Sequence, residues 1–250
     1  MKPTERFSDR VENYVKFRPS YPIELLELLA AEVGDADKKT CADIGSGTGI
    51  LTKLLLSRFK KVFAVEPNLE MRSYAEKALA QYPNFFSINS DAEKTTLPSD
   101  SIDLITVAQA FHWFDRQKFF LECRRILKPV GYVAIIWNKR LTNTPFQAIY
   151  ETLLKAYSTD YNEVNHQRIK VEQIAEFFGG GYRKVVFPNS QRFNLLGVYG
   201  RLDSSSFAPK QDKPEFDILR RELKKAFDEF SEVGTISFNY ETELYLGKVI

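Results

Sequence analysis

Residues 41–50 read CADIGSGTGI, and no other stretch of the chain restricts its fold as strongly. A run of β-favouring residues ends on Asp43 and Ile44, three glycines follow at alternate positions, and LTKLLLSRF then takes up a helical pattern. A strand that passes through a glycine turn into a helix is one unit of an α/β sheet. Gly45 and Gly47 let the backbone approach a ligand closely, and the helix expected from Gly49 onward offers free amides and a positive dipole end. Those amides suit a carboxylate as well as a phosphate.

The alternation continues along the chain. Four more strand-like runs, KVFAVE, FFSINS, IDLITVA and YVAIIWN, reach Asn138, with EMRSYAEKALAQY and DRQKFFLECRRIL as helical patterns between them. Lys128, Pro129 and Gly131 form a stop signal before the fifth strand. Such a series predicts parallel strands joined by right-handed crossovers, with helices on both faces; IDLITVA and YVAIIWN are apolar throughout, as strands covered on both sides should be. From Lys139 to about Phe178 the pattern is helical, in FQAIYETLLKAY and VEQIAEFF. It returns to strand at YRKVVFPNSQRFN, passes through a helix whose apolar face includes Leu219, Leu223 and Phe227, and ends in the alternating strand TISFNYETELYLGKV. GGG at 179–181 reads as a turn.

The expected architecture is one α/β domain over 1–250, a Rossmann-like seven-stranded, mostly parallel sheet with an antiparallel last strand. Residues 1–38 form an amino-terminal helical cover, 39–138 the ligand-binding core and 139–180 a helical insertion after strand five. Residues 181–250 complete the sheet. A formal charge of +2, from 35 basic and 33 acidic residues, gives no strong field favouring nucleic acid or an anionic membrane. No apolar run approaches the ~20 residues of a membrane span, and MKPTERFSDRVENYVKF lacks a secretory h-region, so a cytoplasmic location is expected. Cys41 and Cys123 have neither metal-ligand nor disulfide spacing and read as reduced core thiols; no metal site is expected.

Three consecutive strand ends carry acids: Asp43, Glu66 in VFAVEP, and Asp91 in NSDAE. In a parallel sheet these ends share one rim, and ligands bind just outside it. An acid ending strand two can accept hydrogen bonds from both hydroxyls of a ribose, and one ending strand three can reach the exocyclic amine of a base. A dinucleotide fingerprint would need glycine or alanine where Ile50 stands, which weakens a pyrophosphate reading.

The order DIGSGTG, VEP, SDAEKTTLPSDSIDLITVAQAFHWF and LKPVGYVAIIW resembles the class I S-adenosylmethionine-dependent methyltransferases across residues 7–138. YVKFRPSYP and LDSSSFAP are similar to a small-molecule branch that includes trans-aconitate and ubiquinone-pathway enzymes. The resemblance implies S-adenosylmethionine as cofactor and a small organic molecule as methyl acceptor. It implies that Asp43, Gly45, Ser46, Gly47 and Gly49 hold the methionine portion, Glu66 and the neighbouring Pro67 the ribose, and Asp91, Ala92 and Glu93 the adenine. Gln109 and Ala110 would line the methionine arm, while Tyr14 and Arg18 fold over the cofactor, the guanidinium pairing with its carboxylate. Tyr21, His112 and Trp113 would face the acceptor.

His112, set among Phe111, Trp113 and Phe114, is the one nearby general base. It is needed only if the acceptor is a phenol or hydroxyl, since a carboxylate is already ionised. The alternative is a core-packing aromatic cluster with His112 satisfied by a backbone carbonyl. His166 is expected to face solvent, and Tyr150, Tyr157 and Tyr161 to line a pocket, pack a core or lie at the surface. Methyl transfer to oxygen is the expected activity. A binding module without turnover and an NAD-dependent oxidoreductase are the rival readings, and oligomeric state is left open.

Overall fold

The computed structural model describes residues 11–158, 171–205, 207–209 and 211–249. Its strands are β1 (Thr40–Ile44), β2 (Lys61–Val65), β3 (Phe85–Ile88), β4 (Ile102–Ala108), β5 (Leu127–Arg140), β6 (Tyr182–Phe193) and β7 (Ile236–Gly247). They form one sheet in the order β3-β2-β1-β4-β5-β7-β6. Pairs from β3 through β5 are parallel, and β7 runs antiparallel to both β5 and β6. The sheet is therefore the expected one, with the last strand alone reversed. Strand order changes direction between β1 and β4, and the crevice outside their carboxyl ends is where an open α/β sheet takes a ligand.

Alternate residues of the central strands feed two cores. Cys41, Leu104, Ala134 and Ile136 pack under α2 (Ile23–Val33), α3 (Ile50–Leu55) and α4 (Leu69–Leu79). Ala42, Ile105, Val133 and Ile135 pack against α5 (Arg116–Ile126) and α7 (Val171–Phe177). Two buried faces explain why these strands read as unbroken apolar runs. Cys41 and Cys123 belong to opposite cores, both buried and free.

A third core lies beyond the carboxyl end of β5. There β6 and β7 outrun their neighbour, and Phe238 and Tyr240 meet Tyr150 of α6 (Pro145–Tyr157), Val198 of α8 (Leu195–Asp203) and Leu223 of α9 (Pro214–Phe230). α1 (Val11–Phe17) packs on α8. The segment after α1 is clasped to the sheet: Asn138 and Asn189 donate to the Ser20 carbonyl at 3.1 and 2.8 Å, and Gln191 donates to the Arg18 carbonyl at 3.3 Å.

Three sequence expectations change. α3 stops at Leu55, although Leu56 and Phe59 stay buried in the same core. The stop signal Lys128–Gly131 lies inside β5, where the pairing slips from Ile102↔Leu127 to Leu104↔Tyr132. A side chain at Gly131 would come within 3.2 Å of the Asp103 carbonyl, so glycine permits the bulge. The helical insertion is not one cover: α6 joins the third core while α7 packs on the sheet against α5, because their apolar faces serve different partners. Tyr150 is fully buried and Tyr157 packs at its edge; Tyr161 and His166 lie outside the described residues. Gly179 and Gly180 make the expected turn at φ +59° and +83°. No helix among the described residues is long and apolar enough to cross a membrane.

Gly200 touches α1 closely enough that a Cβ there would lie 2.1 Å from the Phe17 ring. Gly200→Ala should therefore lose about 1–3 kcal/mol of stability through overpacking, measurable by urea denaturation.

Candidate active site

Asp43 anchors the turn. Its position on β1 is paired with Thr106 on β4, whose hydroxyl donates to Oδ1 at 2.8 Å, while Thr52 of α3 donates to Oδ2 at 2.6 Å. The side chain is almost wholly buried. Burial pushes its pKa up to about 6, and the two threonine hydroxyls only partly offset this.

Beyond Asp43 the chain turns sharply. The amides of Gly45 and Ser46 both donate to the Val65 carbonyl, at 2.9 and 3.1 Å, which binds the turn to the end of β2. Gly45 has φ +70°, and a Cβ there would fall 2.5 Å from that of Ala110, so the turn rests directly on the end of β4. The Glu66 carboxylate closes the arrangement, accepting the Gly47 amide at 2.8 Å on one oxygen and the Asn68 amide at 2.9 Å on the other. Burial raises its pKa, and the amides of Asn68 and Gly47 draw it back. Each oxygen keeps acceptor capacity for a further donor. α3 spans six residues, so the dipole expected at Gly49 is that of a short helix and the loop amides matter more.

These elements border an open cleft lined by Tyr14, Tyr21, Asp43, Gly45–Thr48, Ile50, Leu51 and Ala108. The hydroxyls of Ser46 and Thr48 are buried and make no hydrogen bond among the described residues. Orphaned hydroxyls beside a glycine turn are what a polar ligand arm requires, so the residues present fit a nucleoside that carries an amino-acid arm.

The remaining expected residues surround this centre. Asp91 is exposed just past β3, Ala92 is buried, and Glu93 accepts the Asp115 amide at 2.7 Å, tying the β3 end to the start of α5. Pro67 follows Glu66, and its carbonyl accepts from Arg72. Gln109, at φ +59°, donates its amide to the Ile136 carbonyl at 2.9 Å; a non-glycine residue held there stores strain at the strand end.

His112 and Trp113 occupy the next turn, with ring centroids 4.5 Å apart, and do not line the cleft. His112 Nδ1 is buried with no hydrogen-bond partner among the described residues, so a backbone carbonyl does not satisfy that nitrogen there, and burial lowers the imidazole pKa to about 4. Phe111 belongs to the sheet core. Arg18 lies over the Tyr14 ring, 4.9 Å from its centre, and donates to the Ser204 carbonyl at 2.9 Å.

Sequence reasoning missed Thr52 and Thr106, which hold Asp43. Thr106 was findable as the one hydroxyl in IDLITVA, where a buried polar group demands a partner. It also missed Arg201, a lone cation in the apolar helix LLGVYGRLD, now 5% exposed.

The family described as "Methyltransferase domain" matches residues 42–135. A Dictyostelium discoideum protein named as a methyltransferase is 31% identical over 236 residues, covering 89% of this chain and 86% of its own length. Among solved structures, a protein of Anaeromyxobacter dehalogenans named as a type II methyltransferase superposes with a TM-score of 0.70 at 22% identity, covering 94% of this chain and 99% of its own. Phosphoethanolamine N-methyltransferase 2 of Haemonchus contortus, in complex with S-adenosyl-L-methionine, gives a TM-score of 0.58 at 18% identity. That match covers 100% of this chain and 59% of the other.

The Asp43 environment has a measurable consequence. Its folded pKa of about 6 exceeds the ordinary 3.8, so between those values the folded state binds more protons than the unfolded state. The group's contribution is present below the lower value and lost as pH rises through the higher one. Denaturation of wild type and Asp43→Asn should show wild type gaining about 1.4 kcal/mol relative to the variant as pH falls from about 7 to 5.

Proposed function

Because this chain belongs to the class I S-adenosylmethionine-dependent methyltransferases, we propose that it transfers a methyl group to oxygen of a small organic acceptor, with the cofactor seated on the Asp43–Gly49 turn. The observation that carries the reading is the joint at Glu66. One carboxylate fastens the Gly47 amide and the start of α4, and its spare lone pairs are offered to ribose hydroxyls at the rim. Asp91 and the Ala92 amide take the adenine edge. Glu93, engaged by the Asp115 amide, holds the wall behind that edge. Gln109 and Ala110 close the methionine side against Gly45. Tyr14 and Tyr21 cover the cleft, with Arg18 beside them.

S-adenosylmethionine supplies, when bound, a methyl carbon on a sulfonium that departs as a neutral thioether. The protein's part is to align the acceptor oxygen with that carbon and to exclude water. A carboxylate acceptor would arrive already ionised and would ask no proton transfer of the protein. His112 supports this choice. With its pKa near 4 it is neutral at pH 7 yet a poor base for a hydroxyl, which favours an acceptor that arrives ionised. Its role with Trp113 is to shape the wall beyond Ala110. The missing fingerprint position at Ile50, which lines the cleft, leaves the oxidoreductase reading without support.

Calorimetry should detect saturable binding of both S-adenosylmethionine and S-adenosylhomocysteine; absence of heat with either contradicts the reading. Glu66→Ala should weaken that binding by about 1.5–3 kcal/mol, the range for hydrogen bonds to a charged group, and unchanged affinity removes Glu66 from the site. Release of demethylated cofactor against carboxylates, phenols and amines identifies the acceptor. His112→Gln should lower kcat by less than about tenfold, whereas a general base contributes roughly 10²–10⁴-fold.

A further inference from the structure

Arg201 is 5% exposed, and its helix brings it under the third core instead of into water. Its Nε donates to the Tyr240 hydroxyl at 3.1 Å, and Nη1 reaches the hydroxyls of Ser205 at 3.1 Å and Ser204 at 3.4 Å. All three partners are neutral. Arg18 meets it at the same residue, donating to the Ser204 carbonyl, while its own Nε is sealed from solvent with no partner among the described residues.

The local charges do not balance. Two carboxylates on α6 and α8 are already paired, Glu151 with Arg140 and Lys155, and Asp203 with Arg220. Among the described residues neither Arg18 nor Arg201 has a carboxylate partner. Burial and the neighbouring Arg201 push the Arg18 pKa down to about 10, whereas at Arg201 burial is more than offset by Tyr240 and Tyr150 and the pKa is raised, so the strain of the pair falls on Arg18. A buried guanidinium without a carboxylate is costly, and here Arg201 is buried with the half-buried Arg18 beside it.

A third group faces the same place. Tyr150 is fully buried, and its hydroxyl has no hydrogen-bond partner among the described residues. Its electrostatic neighbours include Arg201 and Arg18. Phenol donors and guanidinium forks are the chemistry that holds an oxyanion. The cluster also adjoins the cleft: Tyr14 lines the cleft and carries Arg18 on its ring, at the carboxyl end of β5, two strands along the rim from β1.

We propose that Arg18, Arg201 and Tyr150 form an oxyanion-binding site that anchors the methyl acceptor by a negatively charged group other than the oxygen being methylated. The anchor takes a carboxylate or a phosphate. The cofactor's own carboxylate satisfies this site poorly, because its amino-acid arm carries an ammonium as well and brings no net negative charge to two cations. A separate anchor is also chemically necessary, since an oxygen bound by two guanidinium groups has its lone pairs engaged and makes a weak nucleophile.

The inference rests on the methyl-transfer reading, and one experiment separates the two. The S-adenosylhomocysteine complex is titrated calorimetrically with glutarate, phenyl phosphate and uncharged glutaramide at ionic strength held constant with chloride. Saturable binding of glutarate or phenyl phosphate, and none of glutaramide, is expected. Arg201→Gln and Arg18→Gln should each weaken the oxyanion by about tenfold or more while S-adenosylhomocysteine affinity stays within about threefold, and Arg201→Lys should retain more than Arg201→Gln. If Arg201→Gln does not fold, Arg18→Gln and Arg18→Lys at the part-exposed position decide the matter. The inference is overturned if neither oxyanion binds. It is overturned equally if the variants weaken S-adenosylhomocysteine as much as the oxyanion, which would assign the arginines to the cofactor. Failure of S-adenosylhomocysteine to bind at all sinks the earlier reading instead, and oxyanion titration of the free protein then decides this one.

Discussion

The buried carboxylate of Asp43 holds the structure's functional end together. It takes one hydroxyl from the strand beside it and one from the helix that follows, so β1, β4 and α3 are joined at a single side chain. Two hydroxyl donors do not repay the burial of a charge, and the raised pKa records the deficit. What the arrangement secures is geometry. With β1 fixed against β4, the glycine turn leaves at one angle, Gly45 lands on Ala110, and the Gly47 amide falls within reach of Glu66.

The rest of the molecule divides into a base and a cover. Two cores sandwich the parallel strands and keep the rim rigid, while the third core, built on the overhang of β6 and β7, stands beside it. The amino-terminal segment bridges the two. Asn138, Asn189 and Gln191 hold its backbone against the sheet, and α1 packs on α8. Tyr14, Arg18 and Tyr21 thus reach the site from a segment without a strand of its own.

Legibility followed the range of the interaction concerned. Strand identities, sheet faces and the acids at three strand ends were readable because each depends on residues near one another in the chain. Asp43, Glu66 and Asp91 fall at the carboxyl ends of three neighbouring strands, as expected, since parallel strands bring successive carboxyl ends to one rim. Stretches that failed were those whose signals have two meanings. Lys128–Gly131 reads as a stop, yet packing against Asp103 makes it a bulge. FQAIYETLLKAY and VEQIAEFF both read as helix, but periodicity does not say which core each apolar face will join.

By itself the sequence determined the order of elements, the reversed final strand and the glycine turn, because periodicity and backbone sterics act locally. Tertiary structure alone decided the partners of buried polar groups: Thr106 for Asp43, the Gly47 amide for Glu66, and Arg201 drawn beside Arg18 from 183 positions away in the chain. A charge taken out of water must be answered by whatever folding brings next to it. That neighbour is set by the packing of whole elements, which no local pattern encodes.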